Sequence, residues 1–221
     1  NGSPTIVQDG TEYVVDSGNG GLVWAKNRTA TWDHVLFDTE RGIEQYLQTN
    51  ETDAEAGSSG QGVTSYNSDG FTLASSSLRW NSSSHDYVSW TFRKAPKFFD
   101  VVTYTGTGSV TTVSHNLGSV PGTIIVKKTS GTSIWAVWHR EMTAEADLYK
   151  KTLRLNETRA LDDTYGNDWG SSNNVTSAHF QVGTSGGSTN TSGETYVAYL
   201  FAHNNNDGDF GETGDQDIIK C

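Results

Sequence analysis

Five acidic side chains, Asp207, Asp209, Glu212, Asp215 and Asp217, crowd the stretch HNNNDGDFGETGDQD near the C-terminal end of the sequence. Carboxylates spaced among glycines offer hard oxygen ligands on backbone that can wrap an ion, as a calcium loop does. The spacing misses the EF-hand pattern, so the stretch reads either as a solvated acidic linker or as a calcium site on Asp207, Asp209, Glu212 and Asp215. No other cofactor is expected. Two tryptophans suggest a different chemistry. Trp80 in SSLRWNSSS and Trp169 in TYGNDWGSS stand in polar stretches, outside the alternating apolar runs. Rings presented this way stack on the apolar face of a sugar while neighbouring amides and carboxylates orient its hydroxyls. A glycan contact would then use Trp80, Trp169, Tyr165 and Asp168. The opposing reading folds each ring back to cap an open end of its domain, or packs it against a neighbouring subunit.

Catalytic constellations are sparse. The histidines (His34, His85, His115, His139, His179 and His203) are scattered without zinc-type spacing, and hydrogen bonding beside turns accounts for His115 and His139. GTSGG, with Ser185 at its centre, matches the nucleophile-elbow pattern formally, but the helix that chemistry requires is replaced by STNTSGE. A glycosidase needs two carboxylates facing one another across a groove, about 5–9 Å apart. The pair Asp162-Asp163 lies instead in the loop RALDDTYGNDWG. No enzymatic activity is expected.

The elements that must position these residues are legible from an internal repeat. YLQTNETDA (46–54) and TLRLNETRA (152–160) share their Asn-Glu-Thr at an offset of 106. Upstream, GLVWAKN (21–27) lies over GTIIVKK (122–128) at an offset of 101, Trp32 is matched with Trp135, and Phe37-Asp38 with Trp138-His139. Downstream, Phe71, Asn81, Tyr87, Trp90 and Phe92 match Phe180, Asn190, Tyr196, Tyr199 and Phe201 at an offset of 109. A collinear repeat of this length is a whole small domain rather than a solenoid unit. It divides the 221 residues into a first unit over 1–97 and a second over 98–217, with IIKC at 218–221 read as the start of a third.

Composition agrees with a folded, polar-looped β protein. Ser and Thr number 52 and Gly 24, charged residues are 19%, and aromatics reach 11%, a profile opposite to that of disordered chains. The net charge of −11 has the wrong sign for a nucleic-acid backbone or an anionic membrane surface. No apolar run is long enough for a membrane helix, so no membrane insertion is expected. The single cysteine, Cys221, leaves stability to packing. Of seven Asn-X-Ser/Thr sequons, four are repeat-equivalent pairs: Asn50 with Asn156, and Asn81 with Asn190. They would mark surface glycans only in a secreted eukaryotic or archaeal protein.

Strand-like runs bounded by Gly, Asn and Pro clusters recur in each copy, with REMTAEADLYKK as a short helix or long loop. About seven strands per copy without crossover helices predict an all-β chain: two tandem antiparallel β-sandwiches, jelly-roll or concanavalin-like, related by internal duplication. In YVSWTF and YVAYLF, the alternate set Val88, Trp90, Phe92 and its counterpart Val197, Tyr199, Phe201 predicts the core face. Trp32, Trp135, Trp138 and Trp90 are assigned to core.

The motifs GLVWAKNR…WDHVLFDTERG…YLQTNET…SDGFTL…YVSWTF and YTGTGSVTTVSHNLGSVPGTIIVKKTSGTSIWAVWHR…LRLNET…FQVG…SGETYVAYLFAHN together resemble modules of marine phage, including cyanophage-type, tail-fibre and virion proteins. The resemblance runs from Gly21 to near the end. It implies a non-enzymatic virion structural protein (tail fibre, head fibre or capsid decoration) on the extracellular particle. Its partners would be copies of itself, other virion proteins and host surface glycans. The alternative is a secreted or cell-surface adhesin with lectin sites.

Overall fold

The run TYVAYLFA at Thr195–Ala202 has no polar face, and the computed structural model of the chain gives the reason: this strand is covered on both sides. The structure describes residues 5–8, 11–14, 20–67, 69–75, 79–161, 167–184, 188–203 and 221. The chain is all-β, every strand pairing among the described residues is antiparallel, and its sheets stack.

An N-terminal hairpin joins β1 (Thr5–Gln8) to β2 (Thr11–Val14). Next come β3 (Gly21–Asn27), β4 (Val35–Asp38), β5 (Gln45–Gln48), β6 (Ala56–Gly57) and β9 (Tyr87–Arg93), which form a five-stranded sheet in the order β6-β5-β4-β3-β9. The hairpin of β7 (Val63–Asn67) and β8 (Gly70–Leu73) packs on one face of it. The second five-stranded sheet uses β10 (Phe99–Thr105), β12 (Pro121–Lys128), β13 (Trp135–His139), β14 (Leu153–Arg154) and β16 (Thr195–Ala202), in the order β10-β16-β12-β13-β14. A two-stranded sheet of β11 (Thr111–Ser114) and β15 (His179–Val182) covers its outer face. The stretch left open between helix and loop forms a single 3-10 turn at Glu145–Lys150.

The repeat is visible in topology. The order β5-β4-β3-β9 is reproduced as β14-β13-β12-β16, and polar residues shared by the two copies repeat the same bonds. Lys26 and Lys127 each donate from Nζ to a carbonyl just ahead of the next strand, Trp32 O at 2.6 Å and Ser133 O at 3.0 Å. The Asn50 and Asn156 Oδ1 atoms accept the His34 and Trp135 amides, both at 2.9 Å. Asn81 and Asn190 donate from Nδ2 to Ala74 O and Gly183 O. The Tyr87 and Tyr196 hydroxyls accept the Ser82 and Thr191 amides. The paired sequon asparagines therefore do structural work in the loops.

The strand register corrects one detail of the repeat alignment. Leu22 pairs with Asp38 as Thr123 pairs with His139, which makes Trp135 the equivalent of His34, not of Trp32. Trp32 instead lies half-buried with its ring stacked on His85 at 4.6 Å. A second correction concerns Trp90, assigned above to core. It is 47% exposed, because β9 is the last strand of its sheet and the ring has a neighbour, Trp24, on one side only.

Among the described residues, three cores separate four layers. The β7–β8 hairpin meets the first sheet through Val35, Phe37, Val63 and their neighbours. The two large sheets face each other through Leu22, Leu36, Leu47, Phe99, Val101, Trp135, Val197 and Tyr199. The second sheet then meets β11–β15 through Ile124, Val126, Trp138, Phe180, Ala198 and Leu200. Strand β16 alternates between the last two cores, so Val197 and Tyr199 face the sister repeat while Ala198 and Leu200 face their own β11–β15 layer. The corresponding β9 residues Ser89 and Thr91 are exposed.

Polar bonds stitch the central layer. Tyr199 donates to Asp38 Oδ2 at 2.7 Å, and the Trp135 indole donates to Gln48 O and Glu51 O at 3.0 and 3.1 Å. Fully buried Lys127 donates to Thr52 O and Ser133 O, both at 3.0 Å. Burial lowers its pKa to about 8, with Lys128 adding to the effect and Asp53 opposing it. The unfolded lysine titrates near 10.4, so between these values the unfolded chain holds more protons and stability rises with pH. A rise of about 2 kcal/mol between pH 8 and 10 is expected in urea melts, and Lys127→Met should flatten that segment of the profile.

Candidate functional site

The side chains following β3 and those at the β7–β8 end of the first repeat converge on a small pocket of about 160 Å³. Its walls are Trp32, Tyr46 and Trp80, its floor is Val35, and its polar lining is Thr31, Asp33, Gln48 and Arg79. Alternation along β5 sends Tyr46 to this outer face and Leu47 to the central core. Trp80 lies edge-on to Phe37 at 5.5 Å and to Tyr46 at 4.9 Å, which fixes its plane. Asp33 is held on two sides: Oδ1 accepts Asn50 Nδ2 at 2.8 Å and Oδ2 accepts Gln48 Nε2. A carboxylate oriented by two amides beside aromatic walls can receive hydroxyl donors. The space is below the roughly 300–1,000 Å³ of drug-sized sites.

The second repeat fills the same place with its own chain. The counterparts of Trp32, Tyr46 and Trp80, at offsets of 101, 106 and 109, are Ser133, Thr152 and Thr189. Trp169 is 1% exposed, and its indole donates to Thr152 Oγ1 at 3.1 Å. Asp168, also buried, accepts Thr152 Oγ1 at 2.9 Å through its carboxylate and Thr189 Oγ1 at 2.7 Å through its carbonyl. Gly183 makes this possible: a Cβ there would stand 1.4 Å from Asn167 O, so only glycine lets the 167–170 loop close over β15.

Of the residues assigned above to a glycan contact, Trp80 thus lines an open pocket. Trp169 and Asp168 are corrected to internal packing groups, because the loop that carries them folds into the core instead of projecting from it. Tyr165 lies outside the described residues, as do Asp162, Asp163, Ser185, Asp207, Asp209, Glu212, Asp215 and Asp217. Among the described residues no three His, Cys, Asp or Glu side chains are placed to hold a metal, and no helix is long and apolar enough to cross a membrane. His115 and His139 accept nearby backbone amides, of Leu117 and Glu141. The sequence reading missed Trp32, Tyr46 and Asp33 as pocket residues. The signal was the loss of three aromatics at once between copies, once the register is right.

Two larger hollows lie elsewhere among the described residues. One of about 550 Å³ lies between the β7–β8 hairpin and the face of β3 and β9, beside Tyr66, Phe71 and Thr91. The other, about 670 Å³, opens where the two Asn-Glu-Thr segments meet, beside Trp24, His34, Leu155 and Arg159. The Oδ1 atoms of its asparagines already hold loops, and burial followed by the Lys26 charge lowers the His34 pKa.

No curated protein and no solved structure matches the chain. A family model described as a domain of unknown function, DUF7483, matches residues 8–212 and so runs through both repeats. With nearly the whole length matched, the chain belongs to the DUF7483 family.

Proposed function

We propose that the protein is a non-enzymatic structural component of a phage particle, as tail fibre, head fibre or capsid decoration, that contacts host-surface glycans through the Trp32–Tyr46–Trp80 pocket. The observation that carries the contact is this aromatic pocket, open in the first repeat and plugged by Trp169 in the second. The particle assignment is supported by the sequence resemblance and by the stacking of two sandwiches into one body through the central core. The repeat without an open pocket then serves as a spacer. Many such chains on one particle would let weak single-ring contacts add up.

Saturable binding of the chain to host envelope polysaccharide is expected, with at least a tenfold loss in Trp80→Ala and in Asp33→Ala. Trp32→Ala should behave alike, while Leu155→Ala in the neighbouring hollow should bind as the parent does. Undiminished binding in all three pocket variants would reject the site. A cell-surface adhesin could use the same pocket, so location separates the two readings. Antibody against the chain should label virus particles; labelling confined to cell surfaces would replace the particle assignment with the adhesin.

A further inference from the structure

Strand β9 ends the first sheet with nothing bonded to its outer side among the described residues, whereas its counterpart β16 is paired along its outer side by β10 from Phe99 to Thr105. The amides that face outward are fixed by the ladder. Lys94 N donates to Gly20 O and Arg28 N to Asp86 O, so Val88, Trp90 and Phe92 bond inward to β3 while Tyr87, Ser89, Thr91 and Arg93 present N–H and C=O outward. A long edge with no proline, no lysine and no bulge is a template for another strand.

We propose that the occupant is β9 of a second copy, paired antiparallel about a two-fold axis at Trp90. The sequence of the strand, YVSWTFR, is close to self-complementary under that operation. Trp90 lies opposite Trp90 of the other copy, Ser89 opposite Thr91, Val88 opposite Phe92, and Tyr87 opposite Arg93. Each cross-strand pair matches in kind: aromatic with aromatic, hydroxyl with hydroxyl, aliphatic with aromatic, and a guanidinium with a phenol ring. The hydrogen-bond phase agrees independently. Ser89 and Thr91 are outward-bonding residues and become a hydrogen-bonded pair, which leaves Trp90–Trp90 as the close pair, with Cα atoms about 4.5 Å apart. The interface is isologous, closes at two copies and adds about eight main-chain bonds. It also covers the most exposed tryptophan edge of the fold, Trp90 at 47%. The pairing is independent of any glycan contact, since no pocket residue lies on β9.

Light scattering on the eluting full chain is expected to give a dimer. Thr91→Pro removes only an outward N–H and keeps the β3 ladder, so it should elute as a monomer with an unchanged circular dichroism spectrum. In a Cys221→Ser background, Trp90→Cys should form an intermolecular disulfide on mild oxidation, because the predicted separation lies within disulfide range. Ser89→Cys, offset from its own copy by two residues, should not. A monomeric parent chain at high micromolar concentration would overturn the proposal. So would a dimer that survives Thr91→Pro, or equal cross-linking of Ser89→Cys and Trp90→Cys.

Discussion

Arg41→Ala is expected to lower the stability of the chain by about 3–5 kcal/mol, the range found when one partner of a buried ion pair is removed. Arg41 is almost wholly buried, and its guanidinium uses every face. Nε donates to Asp38 Oδ2 at 2.6 Å, Nη1 to Glu55 Oε2 at 3.0 Å and Nη2 to Leu36 O at 3.1 Å. Asp38 in turn receives the Tyr199 hydroxyl of the second repeat and the Glu40 and Arg41 amides. Deleting the guanidinium leaves a carboxylate without its counter-ion between two sheets. Burial and the Asp38 charge hold the Tyr199 pKa well above its ordinary value, so the phenol stays a donor throughout neutral pH. Arg41→Lys keeps the charge but not the fork and should fall between the parent and the alanine variant. Tyr199→Phe should cost about 1–3 kcal/mol, since it strips one donor from Asp38 and leaves the ion pair intact. Urea melts of the three variants read the order directly. A change below about 1 kcal/mol in Arg41→Ala would mean that the network is a surface-grade contact and does not join the repeats.

That network shows where sequence reasoning reaches and where it stops. Strand positions, the duplication and the inward set of β16 were legible, because alternation and spacing are local properties. The stacking of one repeat on the other was not. In YVAYLF both alternate sets are apolar, so both had to be covered, but alternation cannot say that the sister repeat covers Val197 and Tyr199 while the β11–β15 layer covers Ala198 and Leu200. Trp90 was misread for a related reason: periodicity gives the face of a strand, while the exposure of Trp90 follows from β9 being the edge, which is a matter of sheet order. Trp169 was offered for a glycan contact because its neighbours Asn167, Asp168 and Gly170 look like exposed loop. The structure shows the opposing reading, with the ring folded back into its own domain. The Asp168 carboxylate and carbonyl are instead consumed internally, by Thr152 and Thr189, and the loop closes only because position 183 is glycine. Trp80 was legible as an aromatic outside the core periodicity, but its partners Trp32 and Tyr46 look like core until the two copies are compared in the correct register.

Trp135→Ala is expected to be at least as damaging as the loss of Arg41, at about 3–5 kcal/mol for an aromatic removed from a close-packed core. Trp135 is fully buried between the two large sheets, with its ring stacked on Tyr199 at 6.4 Å and its indole N–H shared between two carbonyls of the first repeat. The substitution opens a cavity in the one core among the described residues to which both repeats contribute, and it also leaves Gln48 O and Glu51 O without that donor. Trp135→Phe separates the two effects, since it keeps most of the ring and loses the bonds; about 1–2 kcal/mol is expected from the bonds alone. Trp138 sits three residues along the same strand and faces the β11–β15 core. Trp138→Ala should cost a similar amount, because its ring is equally buried, but within the second repeat alone. The informative quantity is the shape of the melt. If the central core makes the two sandwiches one cooperative unit, the parent and Trp138→Ala unfold in one step, while Trp135→Ala uncouples the halves and splits the transition in two. Two transitions already present in the parent would mean that the repeats fold separately and touch only weakly, contrary to the shared burial of Leu22, Leu47, Trp135 and Tyr199. A single shifted transition in all three would mean that the hydrogen bonds of Lys127 and the Asp38 network suffice to keep the halves coupled without the tryptophan. The Arg41→Ala, Trp135→Ala double variant would then measure how much of the coupling each supplies.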